Sequence, residues 1–306
     1  MSDAQLARRP LVDHHTHAWS QGAAALLATL PDRPVLGAQP IDVDDVIADL
    51  DEADVERAAV ISVAFWFASS LMNAPEDSAA LVDAENDRLA DGIRRYPMRL
   101  VGFCGFNPLT DDALDRLEKC AATDGMTGIK LHFANSQVDL ANSEHLARIQ
   151  AVFRAANARG LPVIAHLWTG RNYGRAEATL FIEEVLPQAP DIVVQIAHLS
   201  GSGPGYSADA AVAVYAEAAQ RNDERLQNVW LDVATIVTSR QTPEELDLIA
   251  SRLRQLGLPR VLFGSDSARD INPPAGTAWE DFLRLPLTDA EFRTIAANVA
   301  PYIERR

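Results

Sequence analysis

Two cysteines in 306 residues, Cys104 and Cys120, are too few for a disulfide-stapled scaffold or a cysteine-rich zinc module. Neither belongs to a Cys-x-x-Cys pattern, so both read as reduced, buried small residues in a reducing compartment. Positive charge is also scarce: 27 Lys and Arg stand against 43 Asp and Glu, a formal net charge of −16. That balance repels nucleic-acid phosphates and anionic lipid heads at long range, which argues against both as partners. It leaves open an anionic small substrate, because a metal and a few Arg reverse the potential locally. No apolar run approaches the length of a membrane span, and Met1 to Pro10 lack the apolar core of a secretory signal. No Gly-rich phosphate loop follows the first apolar run, as a doubly wound nucleotide-binding sheet would require. A soluble, cytoplasmic, globular chain remains. Its apolar fraction of 48% and charged fraction of 23% are ordinary for that class, and its length suffices for a core without covalent staples.

What is present is alternation. Short β-type runs recur at Pro10–His15, Ala58–Phe65, Arg99–Phe106, Gly128–Phe133, Pro162–His166, Ile192–His198, Asn228–Val233 and Arg260–Asp266. Most are continuously apolar, as in strands covered on both faces of a parallel sheet. Helical patterns separate them: 41–54, 75–96, 111–123, 143–159, 174–186, 207–221, 242–257 and 289–302. Gly160 stands where a left-handed C-cap belongs. Thr242-Pro243-Glu244-Glu245 and Thr288-Asp289-Ala290-Glu291 read as capping boxes. Eight strand–helix alternations without a linker, repeat or composition break predict one α/β domain over 1–306, a closed (β/α)8 TIM barrel. The longest connections follow strand 1 (18–40) and strand 8 (267–287). Both start at strand C-termini, where such barrels build their sites, and both are expected to fold over the mouth.

The first strand carries the densest chemistry: Leu11-Val12-Asp13-His14-His15-Thr16-His17. With regular alternation, Asp13, His15 and His17 share one face and His14 points away. Two imidazoles two residues apart can reach one small cation. The other histidines fall at strand ends. His132 closes Gly128-Ile129-Lys130-Leu131-His132, His166 closes Pro162-Val163-Ile164-Ala165-His166, and His198 follows Ile196-Ala197. Asp266 closes Phe263-Gly264-Ser265-Asp266. A barrel brings all these ends to one rim, so His15, His17, His166, His198 and Asp266 are expected to meet around a divalent transition metal.

Asp13-x-His15-x-His17, the strand-4 Gly128-Ile129-Lys130-Leu131-His132, Ala165-His166, Ala197-His198-Leu199 and Phe263-Gly264-Ser265-Asp266 together resemble the amidohydrolase superfamily, most closely its amidohydrolase 2 branch. Ile295-Ala296-Ala297-Asn298-Val299-Ala300 is similar to that branch's C-terminal helix, with Asn-Val where Asn-Ala is usual. The resemblance runs from residue 11 to about 303. It implies a distorted barrel with His15, His17 and His166 as metal ligands and Asp266 on the metal or its water. It also implies that His198 is either a ligand of a second metal or an acid/base beside one. The ion expected is zinc, with manganese as the alternative.

The expected reaction is hydrolysis of a small carbonyl compound (amide, ester or lactone) by a metal-activated water, with Asp266 and His198 catalytic. Metal-dependent decarboxylation of an aromatic or unsaturated acid on the same residues is the alternative, and a non-catalytic ligand-binding barrel is a third. Lys130 shares the parity of His132 and should point inward, as a metal-bridging carbamate or as an ammonium paired with Asp13 or Asp266. Lys130, His132, Trp168 and Arg171 are the expected substrate contacts, with Trp66, Phe67, Asn172, Tyr173 and Arg269 as further lining candidates. Phe65, Trp66 and Phe67, if exposed, could instead serve a homodimer contact.

Overall fold

The computed structural model describes residues 9–30, 35–69, 71–72, 77–170, 173–269 and 271–304. Eight parallel strands form one sheet in sequential order: β1 (Val12–Ala18), β2 (Arg57–Ser62), β3 (Leu100–Gly105), β4 (Met126–His132), β5 (Val163–His166), β6 (Val194–Ile196), β7 (Val229–Asp232) and β8 (Val261–Leu262). Backbone bonds from His14 N–H to the Phe263 carbonyl (2.9 Å) and from Asp266 N–H to the His15 carbonyl (2.6 Å) bring β8 against β1. The result is the TIM-barrel fold that the strand–helix alternation implies.

Helices cover the outside: α1 (Gln21–Leu27), α2 (Val43–Ala53), α3 (Ser78–Arg95), α4 (Ala113–Ala122), α5 (Phe133–Ser136), α6 (Ser143–Arg159), α7 (Arg175–Leu180), α8 (Asp209–Gln220), α9 (Pro243–Leu256), α10 (Ala275–Phe282), α11 (Asp289–Ala297) and α12 (Pro301–Glu304). Asp42, Thr242 and Thr288 each close a capping box, and Gly160 ends α6 at φ 65°. No helix among the described residues is long and apolar enough to cross a membrane.

Four local departures from the sequence-based expectation have physical causes. The first is a β-bulge in β1: Asp13 pairs with Ala58 and Thr16 with Val60, so His14 and His15 both oppose Ala59. The extra residue resets the alternation. Val12 and His14 face the interior below the bulge, His15 and His17 face it above, and Asp13 turns outward. Second, 289–302 is not one helix. Ala300 precedes Pro301, and the residue before a proline is disfavoured in helical conformation. The chain leaves α11 at Asn298, whose amide donates to the Leu258 and Val261 carbonyls, and re-enters the barrel as α12. Third, α7 is short and continues as a π-turn over Phe181–Val185 and a 3₁₀ turn over Leu186–Gln188. Fourth, Cys104 and Cys120 are not reduced thiols: they form a disulfide between β3 and α4. The helix packs on β4, the sheet neighbour of β3, which places the two side chains together without any local motif. The pairing also removes the cysteine argument for a reducing compartment.

Two apolar layers result. Val12, Ala59, Ile61, Val101, Phe103, Ile164, Val193 and Leu262 fill the lower barrel with Ala300, Tyr302 and Ile303 from the C-terminal segment. The outward residues of the strands pack against the helices. The segment Ala64–Ala68 forms a 3₁₀ turn in which Phe65 and Phe67 are buried, so they offer no exposed contact surface.

Candidate metal centre and active site

The barrel mouth opens on a cavity of about 160 Å³ lined by His15, His17, Lys130, His132, His166, His198 and Asp266, with Trp19, Phe65, Trp66, Ser202, Ala268, Ile271 and Asn272. Trp19 comes from the connection after β1, and Ile271 and Asn272 from the one after β8, so both long connections do fold over the mouth.

The ring nitrogens can be assigned from their partners. His15 Nδ1 lies 3.0 Å from Asp232 Oδ2, so Nδ1–H donates there and the Nε2 lone pair faces inward. His17 Nδ1 lies 3.2 Å from the Ile61 carbonyl, which fixes the same tautomer. His198 Nδ1 lies 2.9 Å from the Ala234 carbonyl, again leaving Nε2 as an acceptor. His132 is the exception: its Nδ1 accepts from Asn135 N–H at 3.3 Å, so Nε2 carries the hydrogen. The site thus presents three imidazole lone pairs and one imidazole donor.

Asp266 Oδ1 sits 3.0 Å from His17 Nε2 and 3.4 Å from His15 Nε2. With neutral rings, these contacts set lone pairs against a carboxylate oxygen, and a cation between them relieves that. The three atoms lie within 4.8 Å of one another, a spacing that suits a single ion. His166 Nε2 is buried without any hydrogen-bond partner, a fourth donor with nothing to bind. His15, His17 and Asp266 therefore form a group that could hold a metal ion. A second close group, His15, His198 and Asp232, is better read as a hydrogen-bonded cluster. The Asp232 oxygens accept from His15 Nδ1–H, Gln195 Nε2–H (2.7 Å), His198 N–H (2.8 Å) and Ala234 N–H (3.2 Å).

Electrostatics agree with this division. Burial pushes His15 down to about 3, with the Lys130 ammonium adding to the effect, so the ring is neutral near pH 7. Burial and neighbouring cationic groups hold His132 and His166 well below the ordinary histidine range. Burial alone would raise Asp266, and positive charge among His198, His17 and His15, on a ring or as a cation between them, holds it far below the usual carboxylate range. Burial likewise acts against Asp232, yet His15 and His198 keep it ionised. Burial lowers Lys130 to about 8, and its Nζ lies 3.3 Å from His15 Nε2. It pairs with neither Asp13 nor Asp266. Asp13 accepts instead from Ser265 and from His15 N–H, and burial raises it to about 7.

Backbone geometry supports the placement. His198 (φ 52°) and Asp266 (φ 53°) both adopt left-handed conformations just beyond their strands. Such conformations persist only where surrounding contacts hold them, and they cluster at functional sites. A Cβ at Gly264 would fall 2.7 Å from His15 Cβ, so only glycine lets β8 approach the bulged strand this closely.

Not every expected contact reaches this cavity. Trp168 lines a neighbouring space of about 660 Å³ with Phe133, Leu140 and Tyr173. Arg269 is engaged by Asp45 at 2.7 Å, beside an adjoining acidic cavity. Arg171 and Asn172 lie outside the described residues. Two residues that sequence reasoning missed belong to the site. Asp232 ends an apolar run as Asp266 does, and that pattern was its available signal. Asn272 donates to Asp266 Oδ2 at 2.6 Å from within an irregular loop, where no pattern marks it.

The amidohydrolase 2 family model, described as "Amidohydrolase", matches residues 12–298. No curated protein matches the sequence. Among solved structures, 5-carboxyvanillate decarboxylase from Sphingomonas paucimobilis superposes with a TM-score of 0.65 at 14% identity, covering 94% of this chain and 96% of that one. A protein described as a probable 2-pyrone-4,6-dicarboxylic acid hydrolase from Acinetobacter baumannii superposes at 0.57 with 16% identity, covering 93% and 95%. The 2,6-dihydroxybenzoate decarboxylase from Rhizobium superposes at 0.61 with 14% identity, covering 94% and 96%. The chain belongs to the amidohydrolase family, an enzyme family whose structural relatives include hydrolases and decarboxylases.

Proposed function

We propose that this protein is a metal-dependent hydrolase of a small, flat, unsaturated carbonyl compound, with an ester or lactone as the preferred class. The observation that carries this reading is the Asp266 carboxyl group facing two imidazole Nε2 atoms, each ring with its Nδ1 committed to another partner. His15, His17 and Asp266 would hold the ion, with His166 as the further ligand. A divalent ion there, zinc or manganese, would act as a Lewis acid and lower the pKa of water from 15.7 to about 7.

The chain's own residues supply the rest. Asp266 stands where it can accept a proton from the attacking water and return it to the leaving group. His132 offers Nε2–H to the developing oxyanion, and a neutral donor needs no charge compensation in this buried site. His198 presents an Nε2 acceptor and serves as a second proton carrier. The wall of Trp19, Phe65 and Trp66 excludes water and suits a planar ring, and Trp19 and Trp66 lie 5.5 Å apart. The small cavity suits a compound on the order of one ring.

Decarboxylation is the second reading, favoured by the apolar wall and by the decarboxylases among the structural relatives. In that reaction His198 Nε2 first takes up a proton from solvent and delivers it to the ring carbon, the C–C bond to the carboxylate breaks and carbon dioxide leaves.

The test is a panel of 2-pyrone lactones, aryl esters and hydroxybenzoates, run in H₂¹⁸O with gas analysis. Incorporation of ¹⁸O into the product without carbon dioxide supports hydrolysis. Carbon dioxide release without ¹⁸O supports the second reading. Turnover that is indifferent to exhaustive metal removal contradicts both.

A further inference from the structure

Below the candidate metal centre the barrel interior is largely apolar, and a polar thread that starts at Tyr302 runs through it. Tyr302, fully buried in α12, packs edge-on against Phe103 at 5.1 Å and donates its hydroxyl to Gln195 Oε1. Gln195, also fully buried, donates Nε2–H to Asp232 Oδ2 at 2.7 Å and to the His14 carbonyl at 3.0 Å. Asp232 Oδ2 in turn accepts from His15 Nδ1–H. The thread runs from the C-terminal segment to a candidate ligand, across residues far apart in sequence.

We propose that Tyr302 is a positioning residue for His15, acting through Gln195 and Asp232. The inference rests on the reading of His15 as a metal ligand and adds that the C-terminal segment tunes that ligand. An amide has one acceptor end and one donor end. The Tyr302 hydroxyl occupies the acceptor end, which forces the donor end toward Asp232. If the amide turned over, its oxygen would face a buried carboxylate and Tyr302 O–H would face an NH₂ group. Tyr302 therefore adds to Asp232 and the His14 carbonyl in holding the Gln195 amide in this one orientation. Asp232, held by Gln195, keeps the proton of His15 on Nδ1 and the lone pair on Nε2, where the ion is to be held. Partners of this kind orient the imidazole and set its basicity toward the metal.

The test uses the full-length chain with Tyr302→Phe and Gln195→Met, which preserve volume and remove the hydrogen bonds. Phe103→Leu alters the ring packing on Tyr302 without removing any hydrogen bond of the thread and serves as the structural control. Zinc affinity is read by competition with a chromophoric chelator, and the His15 tautomer by ¹⁵N–¹H spectra of the metal-free, histidine-labelled protein. Gln195→Met is expected to weaken zinc binding about 10-fold, and Tyr302→Phe several-fold, within the range known for partners of metal-bound imidazoles. In both variants the His15 Nδ1–H signal should broaden or move to a mixture of tautomers. Phe103→Leu should lower the thermal midpoint while zinc affinity stays within about twofold of wild type. Unchanged zinc affinity and an unchanged His15 tautomer in both thread variants would overturn the proposal. If the wild-type protein binds no zinc, the metal reading fails, and the tautomer spectra alone decide the role of the thread.

Discussion

Replacing Asp266 by Asn removes one charge and almost nothing else, which makes it the sharpest probe of the site. Asn tolerates the left-handed backbone at φ 53°, so the turn beyond β8 should survive. The side-chain amide, however, cannot satisfy both neighbours. With its NH₂ in the place of Oδ2, two donors would meet at the 2.6 Å contact with Asn272; turned over, its oxygen faces Asn272 and its NH₂ stands where the ion is to be held. In either orientation the anion between His15 and His17 is lost, and with it a proton acceptor. Removing a general base costs about 10²–10⁴-fold in rate. With a metal contact weakened as well, we expect kcat/KM to fall about 10³-fold or more, equivalent to roughly 4 kcal/mol of transition-state stabilisation. The assay pairs initial rates on the best substrate of the panel with bound-metal analysis of the same samples. A loss below about tenfold at full metal occupancy would refute the role given to Asp266.

Three further outcomes follow from the same geometry. His166→Ala should lower metal content and activity together, because the unpartnered Nε2 is its only polar link to the site, and full metal retention in the variant would reassign it. In the metal-free protein, stability should fall as pH drops below 6.5. Burial lowers His14 to about 4 and His15 to about 3, so the unfolded chain takes up protons that the folded chain refuses. Each histidine contributes a slope of up to about 1.4 kcal/mol per pH unit. His14→Gln should remove one share of it, and an unchanged slope in denaturant titrations would contradict this. Reduction of the Cys104–Cys120 bond, which closes a 16-residue separation, should cost about 3 kcal/mol by loop-entropy arguments. Alkylation and mass analysis of the non-reduced protein should show both thiols blocked, and quantitative alkylation of both would contradict the pairing.

The barrel was legible because buried parallel strands leave continuous apolar runs, and because strand C-termini share a rim whatever their separation in sequence. That logic brings His15, His17, His166, His198 and Asp266 to one rim, and the five line a common cavity. It misplaced His14 and Asp13 because alternation assumes an unbroken strand, and a one-residue bulge is not encoded by hydrophobicity. Asp232 was overlooked although it ends an apolar run as Asp266 does; aspartate carries no spacing signature comparable to His-x-His. Asn272 and Trp19 come from connections whose paths depend on tertiary packing. The disulfide carries no local motif, because its partners meet through helix–strand packing. The break before Pro301 was readable, since a proline restricts the residue preceding it, and it matters because the segment beyond it supplies Tyr302.

The central claim is that one cation belongs between His15, His17 and Asp266. Anomalous diffraction at the zinc edge, from crystals of the zinc-reconstituted protein, tests it directly. The account predicts a peak about 2.0–2.2 Å from His15 Nε2, His17 Nε2 and Asp266 Oδ1. A fully zinc-loaded sample whose peak lies elsewhere, for example among Asp45, Asp49 and Glu52 of the adjoining acidic cavity, would contradict it.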